Sequence, residues 1–101
     1  MWYRVAATTE CPPGASCERV AGGRVVALFN VDGQYHALDG ICPHQGGPLG
    51  KGRLTGCLVT CPWHGWQYDV RTGQHGSVAT VRTAVFPVKV EDDAIFVDVD
   101  S

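Results

Sequence analysis

Hydrophobic and polar residues alternate along this chain in short runs, and the period is two rather than three or four. No window of ten or more residues carries apolar positions at helical spacing without a Gly or Pro interrupting it, so strands are predicted throughout. Cys17 to Val20 and Arg24 to Val31 flank Gly22-Gly23, and the second run reverses at Asp32-Gly33 into Gln34 to Leu38. Two hairpins in succession make a meander. Near the C-terminus, Val85 to Glu91 turns at Asp92-Asp93 into Ala94 to Val99, where Ile95, Val97 and Val99 alternate with Phe96 and Asp98. The first residues, Met1 to Val5, are also strand-like. Between the two β-rich parts, residues 40 to 76 are rich in Gly and Pro, which predicts loops carried on short strands. The fold expected is all-β, an antiparallel sandwich formed by residues 1–101 as a single domain, with a small loop-rich subdomain at about 40–76.

Composition narrows what such a domain can do. With 101 residues, 45% hydrophobic and 18% charged, the chain can bury one modest core. Its 8 basic and 10 acidic residues are dispersed and sum to −2, which excludes a phosphate-binding face and with it a nucleic-acid partner. The longest clean apolar stretch, Val25 to Phe29, falls far short of the roughly 20 residues that cross a bilayer. No basic start or apolar core of a secretory signal is visible, so a cytoplasmic, monomeric protein without a membrane partner is expected.

Chemistry concentrates in the loops. Cys42-Pro43-His44 is followed after sixteen residues by Cys61-Pro62-Trp63-His64, so each of two loops offers a thiolate and an imidazole. Proline after each cysteine fixes the backbone, and glycine soon after each histidine permits tight turns. The four side chains are candidate metal ligands. A tetrahedral zinc site also uses two Cys and two His, and a zinc-stabilised binding module is the alternative from another functional class. Zinc fingers, however, usually pair Cys with Cys and His with His around a helix, which this chain does not do. His36 and His75 lack a second ligand nearby and are read as structural or solvated. Cys57, between Gly56 and Leu58, is read as a small buried hydrophobe; Cys11 and Cys17 are expected to be free thiols close enough to pair if oxidised. Lys51 and Arg53 are read as solvated loop charges.

The spacing Cys-x-His, sixteen residues, Cys-x-x-His resembles the Rieske [2Fe-2S] signature. Gln45-Gly46-Gly47-Pro48-Leu49 and Gly65-Trp66 resemble the loops of Rieske-type ferredoxins, and the flanking hairpins agree with that family's β framework. The resemblance implies one [2Fe-2S] cluster per chain, with Cys42 and Cys61 on an inner iron and His44 and His64 on an outer iron near the surface. Two ferric ions, two sulfides, two thiolates and two neutral imidazoles sum to about zero, about two units less negative than an all-cysteine cluster, so an electron is accepted more readily. Rieske midpoints span roughly −150 to +300 mV. Gly47 and Trp63 stand where the respiratory branch carries an extra disulfide-forming cysteine pair, and Trp66 stands where that branch has a serine hydroxyl, while Tyr68 retains a hydroxyl that resembles a donor to a cysteine sulfur. Fewer donors imply a midpoint toward the low end. Trp63, Trp66 and Tyr68 are thus candidates for contact with the cluster surroundings or with a partner, although each also suits plain packing.

No nucleophile, base and oxyanion arrangement is present, so no catalysis is expected from the chain itself. The resemblance to the ferredoxin component of bacterial aromatic-ring-hydroxylating oxygenase systems implies a one-electron carrier between a flavoprotein NAD(P)H reductase and a terminal oxygenase. The small subunit of an NAD(P)H nitrite reductase shares this fold and is the alternative within redox chemistry.

Overall fold

The computed structural model describes residues 1–43, 46–63, 65–78 and 80–99. Ten strands follow one another: β1 (Trp2–Ala7), β2 (Ser16–Ala21), β3 (Arg24–Val31), β4 (Gln34–Asp39), β5 (Arg53–Thr55), β6 (Leu58–Thr60), β7 (Gln67–Asp69), β8 (Val85–Phe86), β9 (Val88–Glu91) and β10 (Ala94–Asp98). Two short 3-10 turns, Thr8–Glu10 and Leu49–Lys51, are the only helical elements among the described residues. No helix there is long and apolar enough to cross a membrane. Three antiparallel sheets result, in the orders β2-β3-β4-β8, β1-β10-β9 and β5-β6-β7.

The meander is formed as expected, with Val25 opposite Val20 and Leu28 opposite Ala37. Its turns follow from backbone chemistry: Asp32-Gly33 and Asp92-Asp93 all take positive φ, which hairpins of this hand require and which Asp and Gly tolerate. The C-terminal hairpin differs in one respect. The run from Val85 to Glu91 is two strands rather than one, because Pro87 has no amide to donate. Its carbonyl instead accepts from the Asp98 amide. Before it, β8 pairs with β4; after it, β9 pairs with β10, so the proline hands the chain from one sheet to another.

Strand β3 is buried on both faces. Val26 and Leu28 point into a core formed with Val5, Ala37, Phe86, Ile95 and Val97, between the first two sheets. Ala27 and Phe29 point the opposite way, into a second core with Leu38, Leu49, Val59, Tyr68 and Val70 under the β5-β6-β7 sheet. This double burial explains why β3 reads as a nearly continuous apolar run, Val-Val-Ala-Leu-Phe, instead of alternating. The second core also contains Cys42 and Cys61. Leu28→Ala and Phe29→Ala are expected to cost roughly 2–5 and 3–5 kcal/mol respectively. Only Phe29→Ala should also reduce bound metal, a difference that denaturation curves read together with metal content will reveal.

The first core closes over Cys11, which is fully buried. The Asn30 amide and the Tyr35 hydroxyl both donate to its carbonyl, at 2.9 and 3.1 Å, and its thiol faces the Ala15 carbonyl at 3.9 Å. None of the five cysteines forms a disulfide. Burial, reinforced by the neighbouring Cys17 sulfur, raises the Cys11 pKa from its ordinary 9.0 to about 12. Folding therefore favours the neutral thiol. The associated stability is fully present below about pH 9 and is lost as pH rises from there toward 12. Urea denaturation across that window should show a steeper fall for the native chain than for Cys11→Ala.

Candidate metal centre

Two loops converge above the second core. The first begins at Gly40, whose amide donates to Val25 of β3 at 2.9 Å, and Leu49 returns to the Gly40 carbonyl at 2.9 Å. Within it the Cys42 amide donates to Gly47 and the Gly46 amide donates to Cys42, both at 2.8 Å, so Cys42 is tied to Gly46 and Gly47. The second loop leaves β6 and is closed when the Cys61 amide donates to the Trp66 carbonyl at 2.7 Å, just before β7 begins. Both loops are thus tied at their bases by main-chain bonds, and each cysteine stands at such a base.

Cys42 and Cys61 are buried, at 2% and 1% exposure, and lie close enough for the Cys42 sulfur to bear on the Cys61 thiol. Burial pushes the Cys61 thiol up, the Trp63 amide on its sulfur acts in the other direction, and the Cys42 sulfur raises it further. The Cys61 thiol, buried beside a second sulfur, keeps its proton unless a cation offsets the charge, a setting that suits a metal ligand. Tyr68, fully buried on β7, brings its hydroxyl to 3.3 Å from Cys42 Sγ. Burial, and next the Cys42 sulfur, drive its pKa well above the ordinary tyrosine value, so the phenol keeps its proton and could donate to a thiolate at Cys42.

Gly47 explains how the loops approach so closely. A Cβ at this position would lie 2.6 Å from Cys61 Sγ and 3.1 Å from Trp63 Cβ. The first loop therefore crosses over the second cysteine with only hydrogen at the contact. Trp63 caps this crossing and is half exposed, while Trp66 packs at the margin of the second core. The donor set fits an iron–sulfur centre: two adjacent buried sulfurs, amide and hydroxyl donors directed at them, and a backbone with no side chain in the way.

Of the residues singled out from sequence, Cys42, Cys61, Trp63, Trp66 and Tyr68 are brought together here. His44 and His64 lie outside the described residues, as does Gln45. Cys57 differs from expectation: it is half exposed, because it follows Gly56 in the β5–β6 turn while Leu54 and Val59 pair inward. Lys51 pairs with Glu18 of β2 at 3.9 Å. His75, read from sequence as structural or solvated, is structural and sits against Trp66 and Tyr68. Its signal was the turn at Asp69–Gly73, where the Gly73 amide donates to Asp69 at 2.7 Å and a short hairpin register sets His75 opposite Tyr68.

An all-β frame holding a buried thiol pair between two tied loops defines a small metal-cluster protein. Residues 1–91 match the model of the Rieske [2Fe-2S] domain, and the chain belongs to that family. Its cofactor is a [2Fe-2S] cluster and its role is electron transfer. The ferredoxin component of an alkene monooxygenase system from Xanthobacter autotrophicus is 42% identical over 75% of the chain, an alignment that spans 63% of that relative's length. Ferredoxin CarAc from Metapseudomonas resinovorans is 33% identical over 96% of the chain and 92% of its own length. Among solved structures, a complex of reduced oxygenase and oxidized ferredoxin in carbazole 1,9a-dioxygenase contains a chain with a TM-score of 0.85 and 32% identity, covering 95% of this chain and 91% of that one.

Gly47→Ala is expected to keep the β framework but to lose most bound iron, since the added methyl would meet Cys61 Sγ at 2.6 Å. Circular dichroism and iron analysis of the same preparation check both halves of that outcome.

Proposed function

We propose that Cys42, His44, Cys61 and His64 hold the cluster, and that residues 1–101 form one domain whose part from about 40 to 76 binds it. We further propose that the chain receives single electrons from a flavoprotein NAD(P)H reductase and delivers them to a terminal oxygenase in the cytoplasm. The observation that carries this reading is the pairing of buried Cys42 and Cys61 beneath the Gly47 crossing. The relatives named as ferredoxin components of oxygenase systems, and the oxygenase–ferredoxin complex, support the terminal oxygenase as partner.

The bound cluster supplies a one-electron couple at a midpoint that its protein surroundings adjust. The chain's own residues do the rest. The second core keeps water from the two sulfurs, and the Trp63 amide and Tyr68 hydroxyl stabilise negative charge on them. Each such donor favours the reduced state. Trp66 contributes its carbonyl to the Cys61 amide and offers no hydroxyl, in keeping with a low midpoint. Ile41 and Trp63, each 51% exposed, flank the loops and present an apolar rim on which a partner can seat.

Metal analysis tests the ligand reading. Equal amounts of iron and acid-labile sulfide, two of each per chain as the cluster formula requires, are expected in the native protein. Cys42→Ser and Cys61→Ser should each abolish the visible absorption. A colourless protein holding a single zinc would overturn it.

A further inference from the structure

His75 makes more contacts than a solvated turn residue would. Its backbone amide donates to the Val81 carbonyl at 2.9 Å, and the next amide, of Gly76, donates to Gln67 at 2.8 Å, which fixes the segment alongside β7. The side chain is equally restrained. Nδ1 accepts from the amides of Ser77 and Val78, both at 3.0 Å. Two donors converging on Nδ1 leave no room for a proton there, so the ring is the tautomer that carries hydrogen on Nε2.

The ring so fixed meets two aromatic neighbours edge to face. Its centroid is 4.8 Å from that of Trp66, with the planes at 86°, and 5.5 Å from that of Tyr68, at 81°. These separations suit attractive contacts between ring edges and faces. The two neighbours belong to different ligand loops in effect: Trp66 accepts the Cys61 amide, and Tyr68 addresses Cys42 Sγ. Beyond the imidazole lies a cleft of about 220 Å³ lined by Gly65, Trp66, Gln67, His75, Ser77 and Val78. Among the described residues, His75 both lines that cleft and touches the two rings. Without the imidazole, Tyr68 loses the ring contact that borders it on this side.

We propose that His75 is a positioning residue for electron transfer, its clamped ring holding the Tyr68 hydroxyl on Cys42 Sγ and thereby raising the reduction midpoint. This rests on Cys42 being a cluster ligand. The test is a double-mutant cycle on the cluster-loaded protein, read as the midpoint in a redox titration. His75→Ala is expected to lower the midpoint, weakening the reduction equilibrium by up to about tenfold, which is about 59 mV for one electron. In a Tyr68→Phe background, which has already lost the hydroxyl, the same substitution should leave the midpoint where it is. An unchanged midpoint in His75→Ala, or an equal shift in both backgrounds, overturns the proposal. If His75→Ala does not fold, His75→Asn serves in the same cycle, since its amide oxygen can still accept from Ser77 and Val78 while the ring is gone. A native chain without iron and sulfide would overturn the cluster reading and this inference with it, whereas a loaded chain whose midpoint ignores His75 overturns the inference alone.

Discussion

The structure depends on one strand buried on both faces. β3 gives Val26 and Leu28 to one core and Ala27 and Phe29 to the other, so the sandwich and the cluster loops are braced against a common wall. A chain of 101 residues has too little interior for two independent cores. Sharing a wall resolves this, because every residue of the central run is removed from water while its backbone is paired on both sides, with β2 and β4. The Gly40 amide extends that same ladder to the carbonyl of Val25, so the loop that carries Cys42 starts from the central strand.

The second core has to accommodate sulfur as well as hydrocarbon. Unpaired thiolates would be costly there, and burial holds Cys61 in its neutral form until a positive centre arrives. The same burial that resists ionisation makes the metal-bound state sensitive to a few donors. With water excluded, a hydroxyl at 3.3 Å or a single amide acts on the sulfur without solvent competing. Ile41 and Trp63, beside the two cysteines, are exposed. Insulation below and access above are what an electron carrier needs of its site.

Much of this was legible in the sequence, for reasons that differ from residue to residue. The β2–β4 meander followed from Gly22-Gly23 and Asp32-Gly33, whose conformational preferences act locally. The cysteine pair followed from spacing, since thiol and imidazole within three residues of each other leave few other uses. Less legible were features decided by tertiary packing. Pro87 looked like a residue within one strand, but its missing amide matters only once β4 and β10 compete for the flanking segments. Cys57 looked buried beside Leu58 and Val59, yet its place in the β5–β6 turn leaves it only partly buried. His75 was unremarkable by type, and its place opposite Tyr68 emerges only when the Asp69–Gly73 turn is closed.

The two cysteine-bearing loops are secured differently, and the difference has a physical cause. The first is anchored to β3 and packed by the buried Leu49, so its geometry is inherited from the main core. The second hangs from three-residue strands, β6 and β7, which offer few ladder bonds of their own. Extra restraint for it has to come from outside those strands. Gly47 supplies part of it by letting the first loop lie directly on Cys61, which makes the stronger loop a template for the weaker. The segment around His75 supplies more, by extending the β7 edge and backing Trp66 and Tyr68 with a ring whose tautomer is already set. Close packing on one side and a clamped imidazole on the other do for this short sheet what longer strands would otherwise do.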